Sequence, residues 1–124
     1  MAALAERIGS DLGDAASEFP AAQARMFNAQ AVLYITIPTG SPLWSFHDLG
    51  AFTAMIALAA VDKGLGAINA YALVMYPDEV REAMGIGADE IVAVGIALGH
   101  PADSALAAFA PNRVDVDEIL TIKD

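Results

Sequence analysis

Hydrophobic and polar positions along the chain alternate in two rhythms. Leu4, Ile8 and Leu12 recur every four residues. They form one stripe of a helix predicted from about Ala2 to Glu18, weakened by Gly9 and Gly13 and broken by Pro20. The run from Ala31 to Ile37, AVLYITI, is β-branched and aromatic and ends at Pro38, which predicts a buried strand. PTGSP then predicts a loop. Ser45 and Asp48 stand at capping-box spacing and predict a helix from about Phe46. Asp62 and Lys63 end it, and Gly64 and Gly66 mark the exit. Ala67 to Val74 predicts a second strand with Tyr71 in its middle. Pro77, Asp78 and Glu79 open a further helix with Val80 and Met84 on its inner face and Gly85 as C-cap. Glu90 to Leu98, EIVAVGIAL, predicts a buried strand, and VDVDEILTI a late strand or short helix. Helices and strands in this order, without internal repeat or low-complexity segment, predict a sheet with helices packed on it.

The central helix changes the picture. Between Leu49 and Val61 it carries no charge, and its only polar side chain is Thr53. A surface helix is apolar on one face, whereas this one is apolar all round. A chain of 124 residues makes one domain and cannot wrap such a helix in a thick shell. The hydrophobic fraction is 56% and the mean hydropathy +0.50. Either a membrane or a partner surface would account for that. The run from Leu49 to Val61 is short for a bilayer, and the charge-free run from Ala31 to Phe46 is interrupted by Pro38, Gly40 and Pro42. No basic-then-apolar leader stands at the N-terminus, where Glu6 and Asp11 lie. The expectation is therefore no membrane and a partner subunit.

Sixteen acidic against six basic residues give a formal charge of −10, which disfavours nucleic acid. There is no cysteine, so disulfides and thiolate-bound metal are excluded and a reducing cytoplasm is compatible. GLG at Gly64–Gly66 is no dinucleotide fingerprint: position 69 is Asn, and the glycines follow a helix instead of opening one. His47 beside Asp48 and His100 near Asp103 and Ser104 lack the further ligands or pairing that a metal site or a nucleophile needs, and they read as surface or capping histidines. Arg113 stands alone in APNRVD, either as a solvated residue paired with a neighbour such as Asp115 or as a phosphate ligand.

From about Met26 to Ile122 the chain resembles the C-terminal half of the nitroreductase family, FMN-dependent reductases that use NAD(P)H. The ordered set carries the resemblance: AVLYITI followed by Trp44, then DLGAF, LAAVDKGLG, YPDEVREAMGI, IVAVGIALGHP and NRVDVDEIL. MFNAQAVLYITI with Trp44 and DLGAF is closest to the nitrobenzoate-reductase-like branch. The resemblance implies an α+β fold, a sheet flanked by helices in an intertwined homodimer. The long helix would lie at the subunit interface, and the C-terminal arm would cross to the partner. It also implies a single domain in which residues 1–25 form a helix and connector, 26–110 the sheet and helix core, and 111–124 the arm. Asn69, Ala70, Tyr71 and Ala72 would pass their backbone over the flavin ring, and Arg113 would help hold the FMN phosphate. Many relatives have proline where Asn69 stands and an acid where Tyr71 stands; some have a lysine where Pro111 stands.

The family's opening Arg-Ser-Arg-like phosphate clamp and the Asn-containing segment after it have no counterpart in the chain. It therefore resembles an N-terminally truncated member, a fragment or one piece of a split protein, with weak or partial FMN occupancy expected. The implied chemistry takes electrons from NAD(P)H through the flavin to a nitroaromatic, quinone or similar small aromatic acceptor, with no catalytic side chain and no metal. The alternative is a non-catalytic dimeric scaffold without a working flavin site.

Overall fold

The computed structural model describes residues 6, 9–110 and 113–123. The chain divides into two compact units, residues 21–101 and residues 1–20 with 102–124. Three strands make one antiparallel sheet in the order β1-β3-β2: β1 (Ala31–Pro38), β2 (Gly66–Asn69) and β3 (Glu90–Gly99). The two β-branched runs became the long strands β1 and β3, as expected, but only β3 holds buried residues; the expected burial of the first run is corrected, since β1 positions are half-buried or exposed. Ile96, in the middle of β3, is wholly buried, with Val92 and Ala97 beside it. Ala70, Leu73 and Ala97 form a core cluster, onto which Phe27, Ala29, Val32 and Tyr34 pack. Helices α1 (Phe19–Ala24), α2 (Leu43–Asp62), α3 (Pro77–Met84) and α4 (Val116–Ile119) complete the α+β set.

Several local expectations are corrected. The predicted first helix falls partly outside the described residues. Within them, Gly13–Glu18 is a 3-10 turn, and Pro20 lies inside α1 instead of ending a helix. Proline is tolerated there because the first-turn N–H has no helical acceptor in any case. The central helix α2 begins at Leu43, after Pro42, and no side-chain cap bonds its N-terminus. The expected capping box is not formed. Ser45 donates its backbone N–H to Pro42 within the first turn, and Asp48 meets His47 at 3.4 Å. The added turn makes α2 twenty residues long, sufficient by length and composition alone to cross a membrane. Gly85 caps α3 in the left-handed conformation, at φ 67°, as predicted. The late segment is the short helix α4, not a strand.

Before β1, Met26, Phe27 and Asn28 all have positive φ, 50°, 57° and 53°. Each non-glycine residue there costs roughly 1–2 kcal/mol. Phe27 packing on the core, and bonds from Asn28 N–H to Arg25 and from Ala29 N–H to Met26, offset that cost.

On α2 only Leu49, Thr53 and Ala60 are buried. Leu43, Trp44, Phe52, Met55, Leu58 and Val61 are exposed in the single chain, Trp44 at 74% and Leu58 at 70%. The helix covers the sheet through one narrow stripe and leaves most of its apolar surface bare.

Candidate functional site

The site begins where β2 leaves β3. Gly66 to Asn69 pair with Gly99 to Ile96. One further bond, Ala70 N–H to the Gly95 carbonyl at 3.0 Å, continues the pairing before the chain turns away. Tyr71–Val74 is then a 3-10 turn, not the continuation of the strand that the apolar run had predicted. Within the turn Leu73 is buried against Gly95 of β3.

Opposite the turn, β3 carries a bulge. Ile35 pairs with Val94 but Thr36 with Val92, so Ala93 is an extra residue. Bulges of this kind locally re-aim a strand and are frequent beside functional sites. Ala93, Val94 and Gly95 with Asn69, Ala70, Tyr71 and Val74 line a cleft of ≈ 180 Å³. Ordinary small-molecule pockets have roughly 300–1,000 Å³. The cleft is smaller than such a pocket, so it would supply only part of a ligand site.

Its chemistry is neutral. The lining side chains are apolar apart from the Asn69 amide and the Tyr71 phenol. Ala70 N–H is already committed to Gly95. The turn's first bond runs from Leu73 N–H to the Ala70 carbonyl. The amides of Tyr71 and Ala72 therefore precede the turn's own hydrogen bonding, in the position where a helical turn leaves donors for other acceptors. The cleft thus combines an apolar wall with backbone amides at the start of the turn. A phosphate finds no cation among the lining residues.

Of the five residues named from the resemblance, Asn69, Ala70 and Tyr71 line the cleft, and Ala72 follows in the same turn. Arg113 is exposed and belongs to the other unit. The sequence reading did not single out Val74, Ala93, Val94 or Gly95. In sequence they are only core positions of apolar runs, and a bulge has no signature there. Elsewhere, His47 meets Asp48 and stands edge-on to Trp44, with ring centroids 5.6 Å apart. His100 gives its backbone N–H to Gln30. Ser104 accepts from the Ala107 N–H, a turn contact. Among the described residues no three His, Asp or Glu side chains gather as a metal site.

No protein-family model and no curated protein matches the chain. Solved structures do. The FMN and NADPH-dependent nitroreductase NfnB from Sphigopyxis sp. strain HMH superposes with a TM-score of 0.82 and 25% identity. The match covers 98% of this chain and 58% of that one. The FMN-dependent nitroreductase NfnB from Mycobacterium smegmatis, solved in complex with NADPH, gives a TM-score of 0.82 at 21% identity, over 99% of this chain and 58% of that one. The resemblance read from the sequence thus holds in three dimensions: this is a chain of the nitroreductase fold, spanning 58% of the length of the nitroreductases it matches.

Proposed function

We propose that the chain is part of an FMN-dependent oxidoreductase of the nitroreductase type, taking electrons from NAD(P)H and delivering them to a nitroaromatic, quinone or similar acceptor. The coincidence of the cleft with Asn69–Tyr71, inside a nitroreductase fold, carries this reading. Bound FMN supplies the electron-transfer chemistry. The residues of this chain bind and orient. The backbone of Asn69 to Ala72, with Ala93 to Gly95, would hold the ring, and Arg113 is, separately, the residue that the resemblance offers for the phosphate. With one wall and a neutral lining, the chain alone holds FMN weakly. The test is a titration of the purified protein with FMN, followed by NADPH and NADH oxidation with a nitroaromatic acceptor. Saturable binding with acceptor-dependent oxidation supports the reading. Binding without turnover favours the scaffold alternative.

The exposed apolar residues of α2 support a homodimer in which the helix meets its counterpart. Contiguous exposed apolar surface on this scale marks an interface. An obligate interface of this kind buries on the order of 2,000 Å² or more. His47 and Asp48 in the first turns of α2, and the net charge of −10, support a helix that stays out of the membrane and a protein that does not bind nucleic acid. The cytoplasm is the compartment this reading assigns, because NAD(P)H is supplied there. Light scattering tests the dimer, and fractionation with and without detergent tests the location.

A further inference from the structure

Gly95 has no room for a side chain. It is buried in the middle of β3, paired with Tyr34 of β1, and its carbonyl accepts the last N–H of the β2 side, from Ala70. A Cβ built on Gly95 would collide with Cβ of Leu73 and stand 3.2 Å from its Cδ1. Leu73 is the buried anchor of the Tyr71–Val74 turn. Gly95 therefore lets the turn lie directly on the strand, and it lines the same cleft as Tyr71 and Val74. Any side chain at 95 must push the turn outward, and Tyr71 and Ala72, the residues just before Leu73, move with it.

We propose that Gly95 is a positioning residue for the flavin ring: the absence of a Cβ there sets the height of the Tyr71 and Ala72 amides above the cleft wall. The proposal rests on the reading that this cleft receives the ring. Gly99 supplies the comparison. It lies on the same face of β3, four residues on, and its Cβ would also be tight, 3.3 Å from the Gln30 backbone nitrogen. Gly99 does not line the cleft. Its clash is milder than that at Gly95, so Gly99→Ala probes the same strand outside the cleft, and the affinities are compared between folded variants.

The experiment measures riboflavin and FMN affinity by flavin fluorescence for the full chain and its Gly95→Ala and Gly99→Ala variants, below their melting temperatures. Riboflavin lacks the phosphate and reports the ring site alone. The expected result is that Gly95→Ala loses about tenfold for both ligands, what one hydrogen bond to the ring is worth, while Gly99→Ala stays near the parent. Parent-like affinity in Gly95→Ala overturns the proposal, as does an equal loss in Gly99→Ala. Should Gly95→Ala not fold, Leu73→Val loosens the same anchor from the other side. An equal loss for both ligands there supports the proposal, and unchanged affinity overturns it. A parent chain that binds neither ligand overturns the flavin reading and this proposal together, whereas a parent that binds and a Gly95→Ala variant that binds equally overturns only this one.

Discussion

The guanidinium of Arg81 on α3 donates from Nη2 to the backbone carbonyl of Glu90, 2.6 Å away at the first residue of β3. The same side chain reaches Asp78 at 3.3 Å, one helical turn back. The first bond ties helix to sheet and is partly buried, with the Arg81 side chain 26% exposed; the second points to an Asp78 side chain that is 93% exposed. The two should differ in worth. A charge-assisted bond to a backbone carbonyl contributes about 1.5–3 kcal/mol, so Arg81→Ala is expected to destabilise by that order. An exposed pair contributes about 0–1 kcal/mol, so Asp78→Ala should be nearly silent. Denaturant titration of both variants checks this, and equal effects would show that the carbonyl bond is not the tie.

Ile96 is the most enclosed large side chain, at 0% exposure. Ile96→Ala removes three carbons from the middle of the sheet's core. The expected cost is about 2–5 kcal/mol, the range for large-to-small substitutions at sites that collapse incompletely. For a domain of this size that approaches the whole stability. A fall of less than 1 kcal/mol in a chemical melt would mean that the sheet is covered differently.

The long strands were legible because their runs are apolar and rich in β-branched residues over seven or more positions, although their register was not. The segment Ala67–Val74 is also mostly apolar, but it is alanine-rich with only two β-branched residues, and it became strand and then turn. The turn after β2 packs Leu73 on Gly95, a contact with a residue twenty-two positions away in sequence that no local pattern shows. The left-handed turn at Met26–Asn28 was illegible for a different reason. It contains no glycine, the usual marker, and is held by the packing of Phe27. The site followed the same division. Asn69–Ala72 came from a family resemblance, whereas Ala93–Gly95 required the bulge, a feature of pairing and not of composition.

Thr53 is the only buried polar side chain in the described core, and its hydroxyl donates to the Gly50 carbonyl at 2.9 Å. On a helix this apolar, the hydroxyl needs that internal acceptor because no sheet group supplies one. Thr53→Val keeps the shape and deletes the bond. The predicted cost is about 0.5–1.5 kcal/mol, the net worth of one neutral hydrogen bond. Thermal melts should show a small but resolved decrease, and an increase in stability would mean that the buried hydroxyl is a net burden there.

Leu58 tests the apolar helix surface. It is 70% exposed in the single chain, so Leu58→Glu should leave the isolated fold intact. In a dimer built on α2 the same substitution buries an uncompensated carboxylate, at a cost of about 3–5 kcal/mol. The expected result is a dimer for the parent and a monomer for the variant by light scattering, with unchanged far-ultraviolet circular dichroism. A variant that remains dimeric would remove this face of α2 from the interface.

Arg113 tests the phosphate role that the family resemblance offers it. The cleft lining offers no cation, and the chain carries a net charge of −10, so an anionic ligand is opposed by the long-range field wherever a local cation does not offset it. If Arg113 supplies that offset, Arg113→Ala removes one charge-assisted bond, worth about 1.5–3 kcal/mol, or roughly ten-fold to a hundred-fold in FMN affinity. Riboflavin should be indifferent to the substitution, because it carries no phosphate for the guanidinium to meet. Added salt should weaken FMN binding by the parent and have less effect on the variant, since screening acts on the charge that the variant has lost. Flavin fluorescence titrations at two ionic strengths make the comparison. Equal FMN affinity in parent and variant would remove Arg113 from the site. Equal losses for riboflavin and FMN would show instead that the substitution disturbs the ring end, and would leave the phosphate without an identified ligand in this chain.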